Sequence, residues 1–94
     1  MTGYVALVHK DPGTSYGVSF PDVPGCISAG DTLVDALANA AEALAGHLAL
    51  MRADGDVIPG PRGLLAIKAD ATLADDLEGA LVRVVEPAEV VEAR

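Results

Sequence analysis

Alternating and continuous apolar residues in the first thirty positions of the chain predict three short β-strands. Residues 4–8 are apolar without interruption, which is typical of a strand covered on both faces, and Asp-Pro-Gly at 11–13 favours a turn. In residues 16–20 large apolar side chains occupy every second position, which indicates a half-buried strand. Residues 26–29 predict a third strand ending at Gly30, so the N-terminal part is expected to form a meander. The predicted core face of the second strand consists of Tyr16, Val18 and Phe20.

An amphipathic helix is the clearest predicted element, and its pattern extends from Thr32 to about Ala53. Thr32 is a favourable N-cap residue, and Asp35 three positions later places negative charge at the positive end of the helix. The helix is expected to end at Asp54 and Gly55, where glycine can adopt a left-handed conformation. Apolar residues at spacings of three and four form one stripe: Leu33, Leu37, Ala40, Leu44, Leu48 and Met51. The opposite face carries Asp35, Asn39, Glu42 and Gly46.

The sequence beyond the helix is less regular and leaves one assignment open. Residues 64–68 fit either a single helical turn or a short edge strand. At 72–75 a threonine followed three residues later by aspartate predicts a brief capped helix, and the β-branched segment 81–85 predicts a last strand. A chain of 94 residues is expected to form one domain, which we assign to residues 1–86, with a short tail at 87–94.

Charge and cysteine content narrow the class of function. Fourteen acidic and six basic residues give a net charge of −8, which opposes contact with nucleic acid because phosphates require Lys and Arg. The acidity fits a basic protein partner, or it keeps a small protein soluble. Cys26 is the only cysteine, so a reducing, cytoplasmic compartment is expected. No secretory signal is visible, and no apolar stretch approaches the roughly 20 residues of a membrane span.

The hydrophobic core is expected to be small. Apolar residues make up 51% of the chain, but many of them are alanine. The aromatic residues are Tyr4, Tyr16 and Phe20. A domain of this length buries a modest share of its surface, so we expect it to gain stability as a homo-oligomer, either a dimer or a tetramer.

A specific run of residues extends from the second predicted strand into the helix. Its members are Tyr16, Val18, Phe20, Pro21, Asp22, Pro24, Gly25 and Cys26, then Gly30, Asp31 and Thr32, then Ala36, Ala40, Glu42, Ala43 and Leu44. This run resembles the signature of the HicB antitoxin family, and Pro59 and Pro61 are similar to the family's usual helix exit. The resemblance covers residues 3–86. Six members are expected to serve the structural motif: Phe20, Pro21, Gly25, Cys26, Gly30 and Thr32.

The resemblance implies an α+β fold, a partial ribonuclease-H-like β-β-β-α-β domain whose long helix packs on a small mixed sheet. The fourth strand is expected beside the first and parallel to it, because the helix supplies the crossover that a parallel connection requires. The implied function is that of an antitoxin, which binds a small basic HicA-type toxin and covers its RNA-binding and mRNA-cleaving face. The alternative is an orphan HicB-like oligomeric interaction module without a toxin partner or catalytic activity.

The chain departs from the family pattern at its C-terminal end. Family members commonly continue into a ribbon-helix-helix or helix-turn-helix module that binds the operator, whereas this sequence stops at Arg94. Only Arg83 and Arg94 are basic after Lys68, which leaves no electrostatic footprint for DNA. We expect no direct nucleic acid binding by these residues, unless a DNA-binding part lies in a segment outside them.

Two catalytic interpretations are weaker than their structural alternatives. Cys26 would act as a nucleophile with His9 or His47 as base, but nothing in the sequence places either histidine near it. A cysteine within a strand is usually a small buried hydrophobe. Three loop aspartates would hold Mg²⁺ only if they converged, whereas they lie beside proline or glycine as turn formers: Asp11, Asp22 and Asp31. We therefore expect neither an enzyme nor a metal or cofactor.

The candidate partner-binding residues are Asp22, Pro24, Asp31, Asp35 and Glu42. Asp22 fits two roles equally, bonding backbone amides of its own turn or facing the partner. Asp35 and Glu42 on the outer helix face are either solvated or in contact with a toxin or another copy.

Overall fold

The structure, a computed structural model, describes residues 3–88 and shows a four-stranded antiparallel sheet with a long helix on one face. The strands are β1 (Tyr4–His9), β2 (Tyr16–Ser19), β3 (Ile27–Gly30) and β4 (Leu81–Val85). The helices are α1 (Leu33–Ala53), α2 (Leu64–Ala69) and α3 (Ala74–Leu77), with a 3-10 turn at Ala71–Leu73. The spatial order is β3-β2-β1-β4, so β3 and β4 form the two edges. The predicted α+β class is confirmed, and β3 begins one residue later than predicted.

The long helix forms where the apolar periodicity predicts it. The Thr32 side chain accepts a hydrogen bond from the Asp35 backbone N–H at 3.0 Å, which caps the helix. Gly55 follows the helix with a φ of +79°, the left-handed conformation that ends many helices. The buried stripe of α1 packs mainly on β3 and β2, and it consists of Ala36, Ala40, Leu44 and Leu48.

The length and composition of α1 correct one expectation. Its 21 residues are long and apolar enough to cross a membrane by these two criteria, so the expectation of no such stretch is wrong. The same criteria also select core helices of soluble proteins. Because the apolar stripe of α1 packs on the sheet, this helix belongs to the hydrophobic core.

Strand β1 is covered on both faces, as its uninterrupted apolar sequence predicts. Its even-numbered residues face α1 and belong to the larger core cluster: Tyr4, Ala6 and Val8. Val5 and Leu7 face the other side, where Ile67 of α2 packs against them. The sheet is therefore the middle layer of three, with α1 on the first face and the short helices on the second.

Strand β4 runs antiparallel to β1, so the expected parallel pairing and the mixed sheet are wrong. The end of α1 lies near the beginning of β1, where the Tyr4 hydroxyl donates a hydrogen bond to the Pro59 carbonyl. The short helices then cross the second face to the other end of β1, where the His9 ring contacts the Asp76 carbonyl. Because of this additional crossing, β4 begins beside the C-terminal end of β1 and runs antiparallel to it. The register ends with the pairs Tyr4–Val85 and Val8–Leu81.

Residues 64–68, which the sequence left open between helix and strand, form a helix. Residues Leu64–Ala69 form α2, with Ile67 buried, and residues Ala71–Leu77 are helical as well. The cap of the second segment is Asp70 rather than Thr72, because the Asp70 side chain accepts a hydrogen bond from the Thr72 N–H. Of the predicted tail, Pro87 and Ala88 are described, and residues 89–94 lie outside the described residues.

Candidate protein-binding surface

The second face of the sheet is covered over only half of its width. The helices on this side pack against β1 and β4 through Ile67, Leu73 and Leu77. They leave the neighbouring half, formed by β2 and β3, open to solvent. The fold therefore exposes one face of two adjacent strands next to a wall of short helices.

The strand register determines which side chains line this open half. Paired residues of antiparallel strands share a face, so Leu7, Ser19 and Ile27 form one row and His9, Gly17 and Ala29 form the next. Leu7 lies under the helices, and the other five residues form what we name the open sheet face: His9, Gly17, Ser19, Ile27 and Ala29. Ile27 is 72% exposed, the largest apolar side chain of this surface.

A groove crosses the open sheet face and extends to the helical wall. Two cavities of about 280 Å³ each adjoin here, and both are lined by Ser19 and Ile27. Leu73 and Asp76 line the helical side, and Pro24 lines the loop side. Glycine, serine and alanine on the strands leave a shallow floor, because their side chains fill little of the space beside Ile27.

The loop side of the groove is shaped by the residues between β2 and β3. Two turn hydrogen bonds of 3.1 Å join the Val23 N–H to the Phe20 carbonyl and the Cys26 N–H to the Val23 carbonyl. Gly25 has a φ of +89°, which a residue with a side chain rarely adopts. The loop is therefore held in one conformation by local geometry.

The helical side is joined to β1 by a histidine. The Nε2 atom of His9 lies 2.7 Å from the carbonyl oxygen of Asp76. Because a carbonyl only accepts, Nε2 must carry the hydrogen in this contact. His9 is exposed and links the sheet to α3.

An ion pair beneath the loop anchors it to the segment between α1 and α2. The carboxylate of Asp22 is buried and accepts hydrogen bonds at 2.6 Å from both the backbone N–H and the Nε of Arg62. Of the two roles considered for Asp22, bonding amides of its own turn is therefore wrong, because its hydrogen-bond partner is Arg62. A carboxylate satisfies a backbone donor and a guanidinium at once, which explains an acidic residue at a buried position.

Asp70 extends this ion pair to the helical side. Its carboxylate accepts hydrogen bonds from the Thr72 hydroxyl at 2.6 Å and from Arg62 Nη1 at 3.1 Å. The bond from Thr72, followed by that from Arg62, lowers the pKa of Asp70. Hydrogen bonds to Asp22 and Asp70 raise the pKa of Arg62, so they favour the charged guanidinium. Neither Arg62 nor Asp70 was predicted from the sequence, because no periodicity or motif gives a signal for them.

The predicted partner-binding residues do not form one cluster. Pro24 is exposed and lines the groove, whereas Asp22 lies buried under the same loop. Asp31 and Asp35 are exposed at the opposite end of β3, where α1 begins, and Glu42 is exposed on the outer face of α1. The structure thus separates a loop group from a helix group, and partner contact by either remains a prediction.

The structural-motif residues occupy the positions that a folding role requires. Phe20 and Cys26 are buried, and Thr32 caps α1. Gly30 lies so close to the first turn of α1 that a Cβ atom there would overlap the backbone of Ala36. Pro21 and Gly25 belong to the loop between β2 and β3.

The structure describes the surroundings of the residues considered for catalysis. Burial raises the pKa of the Cys26 thiol, which favours the unreactive protonated form. His9 contacts Asp76 instead, and His47 lies against Gly25. Within residues 3–88 no group of three His, Cys, Asp or Glu side chains is placed to hold a metal ion.

A comparison with known protein families gives a match that covers nearly the whole chain. Residues 4–92 match the family described as the HicB-like antitoxin of bacterial toxin-antitoxin systems. Among curated proteins, an uncharacterized 14.9 kDa protein of Haemophilus phage HP1 is 54% identical over 44 residues. That match covers 47% of this chain, which spans 33% of the phage protein. A UPF0150 protein of Thermoplasma acidophilum is 32% identical over 56 residues, 60% of this chain and 81% of that protein.

Solved structures share the fold. The antitoxin HicB of Burkholderia pseudomallei superimposes with a TM-score of 0.77 at 28% identity, covering 100% of this chain and 76% of that one. The structure of its N-terminal domain gives a TM-score of 0.73 at 33% identity, covering 95% of this chain and 100% of that one. A chain of the HicA3 and HicB3 toxin-antitoxin complex gives a TM-score of 0.71 at 30% identity, covering 90% of this chain and 96% of that one. Together with the family match over residues 4–92, these likenesses establish that the chain belongs to the HicB-like antitoxin family of bacterial toxin-antitoxin systems.

Proposed function

We propose that this chain binds and neutralises a small basic HicA-type toxin that cleaves messenger RNA, by covering the toxin's RNA-binding and catalytic face. The observation that carries the proposal is the likeness to a chain of the HicA3 and HicB3 toxin-antitoxin complex, which extends over 90% of this chain at 30% identity. We assign the neutralising domain to residues 1–86, in the cytoplasm, and we propose no catalytic step and no cofactor.

The charge of the chain supports a basic partner. A surface that binds RNA must attract phosphates, so it presents Lys and Arg. The net charge of −8 and the exposed carboxylates of the described residues are complementary to such a surface. Carboxylates can occupy the positions that phosphates otherwise take, and opposite fields accelerate encounter. The same charge leads us to propose that residues 1–94 do not contact nucleic acid directly.

Co-expression with the protein of the adjacent reading frame tests the proposal. We expect a small basic protein there that arrests growth alone and no longer does so when this chain is present. The Cys26→Ala variant should rescue growth as the unmodified chain does, because covering a surface requires no nucleophile. Purified together, the two proteins should co-elute. If the basic protein arrests growth and this chain neither binds nor rescues, the antitoxin function is refuted.

The second candidate, an oligomeric interaction module without a toxin, is favoured by the edge strand β4. Within residues 3–88 no strand pairs with its outer edge, and Leu81 and Val84 on it are 45% and 68% exposed. Unpaired edges with apolar side chains promote association. Self-association is compatible with either function, so only failure of toxin binding would favour the second candidate over the first.

We predict that the chain sediments as a dimer or tetramer at micromolar concentration. Val84→Lys should shift the distribution towards monomer, because a lysine on an edge strand opposes pairing. Val57→Lys is the matched control, since Val57 is 88% exposed outside the sheet and its replacement should change nothing. A folded monomer at both micromolar and nanomolar concentrations, seen by sedimentation velocity and circular dichroism, would contradict self-association.

A further inference from the structure

We infer that the open sheet face is the surface on which a basic partner protein docks, with a Lys or Arg side chain lying along Ile27 and reaching the carboxylate of Asp76. The inference rests on the proposed function and locates its contact surface. It differs from the helix group of predicted residues, Asp31, Asp35 and Glu42, none of which lines the groove.

The exposed side chain of Ile27 provides an apolar contact for a partner. This β-branched residue lies on an edge strand with 72% of its surface in water, beside a floor of small residues. Burying it would remove apolar area from water, worth about 1.5–3 kcal/mol for a complete isoleucine side chain. The groove beside Ile27 offers space for a partner's side chains, because the two cavities of about 280 Å³ meet at Ser19 and Ile27.

The charged residues that line the groove favour a basic partner. Neither cavity is lined by a lysine or arginine, and Asp76 lines the helical side next to exposed Asp75. Within residues 3–88 neither aspartate belongs to a salt bridge, whereas Arg62 is engaged by Asp22 and Asp70. The long apolar stems of Lys and Arg cover apolar surface while their charged ends reach a polar group. Ile27 and Asp76 together match that pattern.

The walls of the groove are already held in place before binding. His9 joins β1 to α3, the Asp22–Arg62 pair anchors the loop, and Asp70 ties Arg62 to the start of the 3-10 turn. A surface held by such contacts loses little conformational entropy when a partner binds, so more of the contact energy appears as affinity.

A competing surface exists on the other side of the sheet. The outer face of α1 also combines an exposed apolar residue, Val34 at 76%, with exposed carboxylates. Charge alone therefore does not choose between the two surfaces. The open sheet face differs in that two cavities adjoin it, and no residue of α1 lines either of them.

Matched substitutions on the two surfaces test the inference. Ile27→Arg and Asp76→Lys are compared with Val34→Arg and Glu42→Lys, which make the same charge changes at exposed positions of α1. The probe is the basic protein of the adjacent reading frame, carrying an alanine in place of its catalytic histidine, and the dissociation constant is measured by titration calorimetry. Circular dichroism checks that each variant folds, which the exposure of all four positions favours.

We expect the two groove variants to raise the dissociation constant at least tenfold and the two helix variants to change it less than threefold. The reverse pattern, or an equal effect of both pairs, would overturn the docking surface while leaving the antitoxin function intact. If the unmodified chain does not bind the basic protein at all, the proposed function fails first and the docking surface falls with it.

Discussion

Replacing Gly30 by alanine is expected to lower the free energy of unfolding by about 3 kcal/mol, at the upper end of what overpacking usually costs. A Cβ atom at this position would overlap the backbone nitrogen and Cα of Ala36 and approach the carbonyl carbon of Asp35. Backbone atoms in the first turn of a helix cannot move aside as a flexible side chain can. Strand β3 and helix α1 would have to separate. Urea denaturation followed by circular dichroism measures the loss.

Gly46→Ala is the control for this prediction. Gly46 lies in the middle of α1 and a Cβ atom there would contact nothing within 4 Å. The same substitution should therefore stabilise the protein by about 0.5–1 kcal/mol, because alanine loses less backbone entropy than glycine in a helix. Opposite signs at the two positions are the expected result. Equal effects would show that close packing at Gly30 is unimportant.

Replacing Asp22 by alanine is expected to lower the free energy of unfolding by about 2 kcal/mol. The substitution removes two hydrogen bonds of 2.6 Å and leaves the backbone N–H of Arg62 without its acceptor. Hydrogen bonds to charged groups contribute about 1.5–3 kcal/mol, and unpaired buried donors are penalised. We place the effect below that of a fully buried ion pair, because the Arg62 side chain is 38% exposed. Thermal and urea denaturation provide the measurement.

Asp56→Ala serves as the matched control, since Asp56 is an exposed aspartate after α1 with no side-chain hydrogen bond in the part of the chain described. Its replacement should change stability by less than about 0.5 kcal/mol. The pair also separates the partner-facing role predicted for Asp22 from the loop-anchoring role that its bonds to Arg62 indicate. If Asp22→Ala leaves stability unchanged and abolishes toxin binding, its carboxylate faces the partner. A loss of stability identifies it as the anchor of the loop.

Helix α1 was predictable because the information that forms it is local. Its cap at Thr32, its apolar spacing and its end at Gly55 lie within one continuous segment. The strands β1 and β2 were predictable for the same reason, since a continuous apolar run in β1 and alternation with a period of two in β2 are visible in a few residues. The family resemblance was likewise carried by a short run between Tyr16 and Leu44.

The groove and its anchors were not predictable in this way. Asp22 and Arg62 are 40 positions apart, and His9 and Asp76 are 67 apart. The sequence marks none of these pairs, because a single aspartate between prolines suits a self-contained turn as well as a distant ion pair. The open sheet face depends on how much of the sheet α2 and α3 cover. No local sequence pattern indicates the extent of this coverage.

The sequence by itself determined the strands, the capped helix, the family and the acidic character, because periodicity, capping and charge depend on neighbouring residues. Only the tertiary structure decided the direction of β4 and the position of the candidate docking surface. The physical reason is that both depend on the path of residues 54–80 across the second face of the sheet. That path follows from the burial of Ile67 against Val5 and Leu7 and from contacts between residues far apart in the chain.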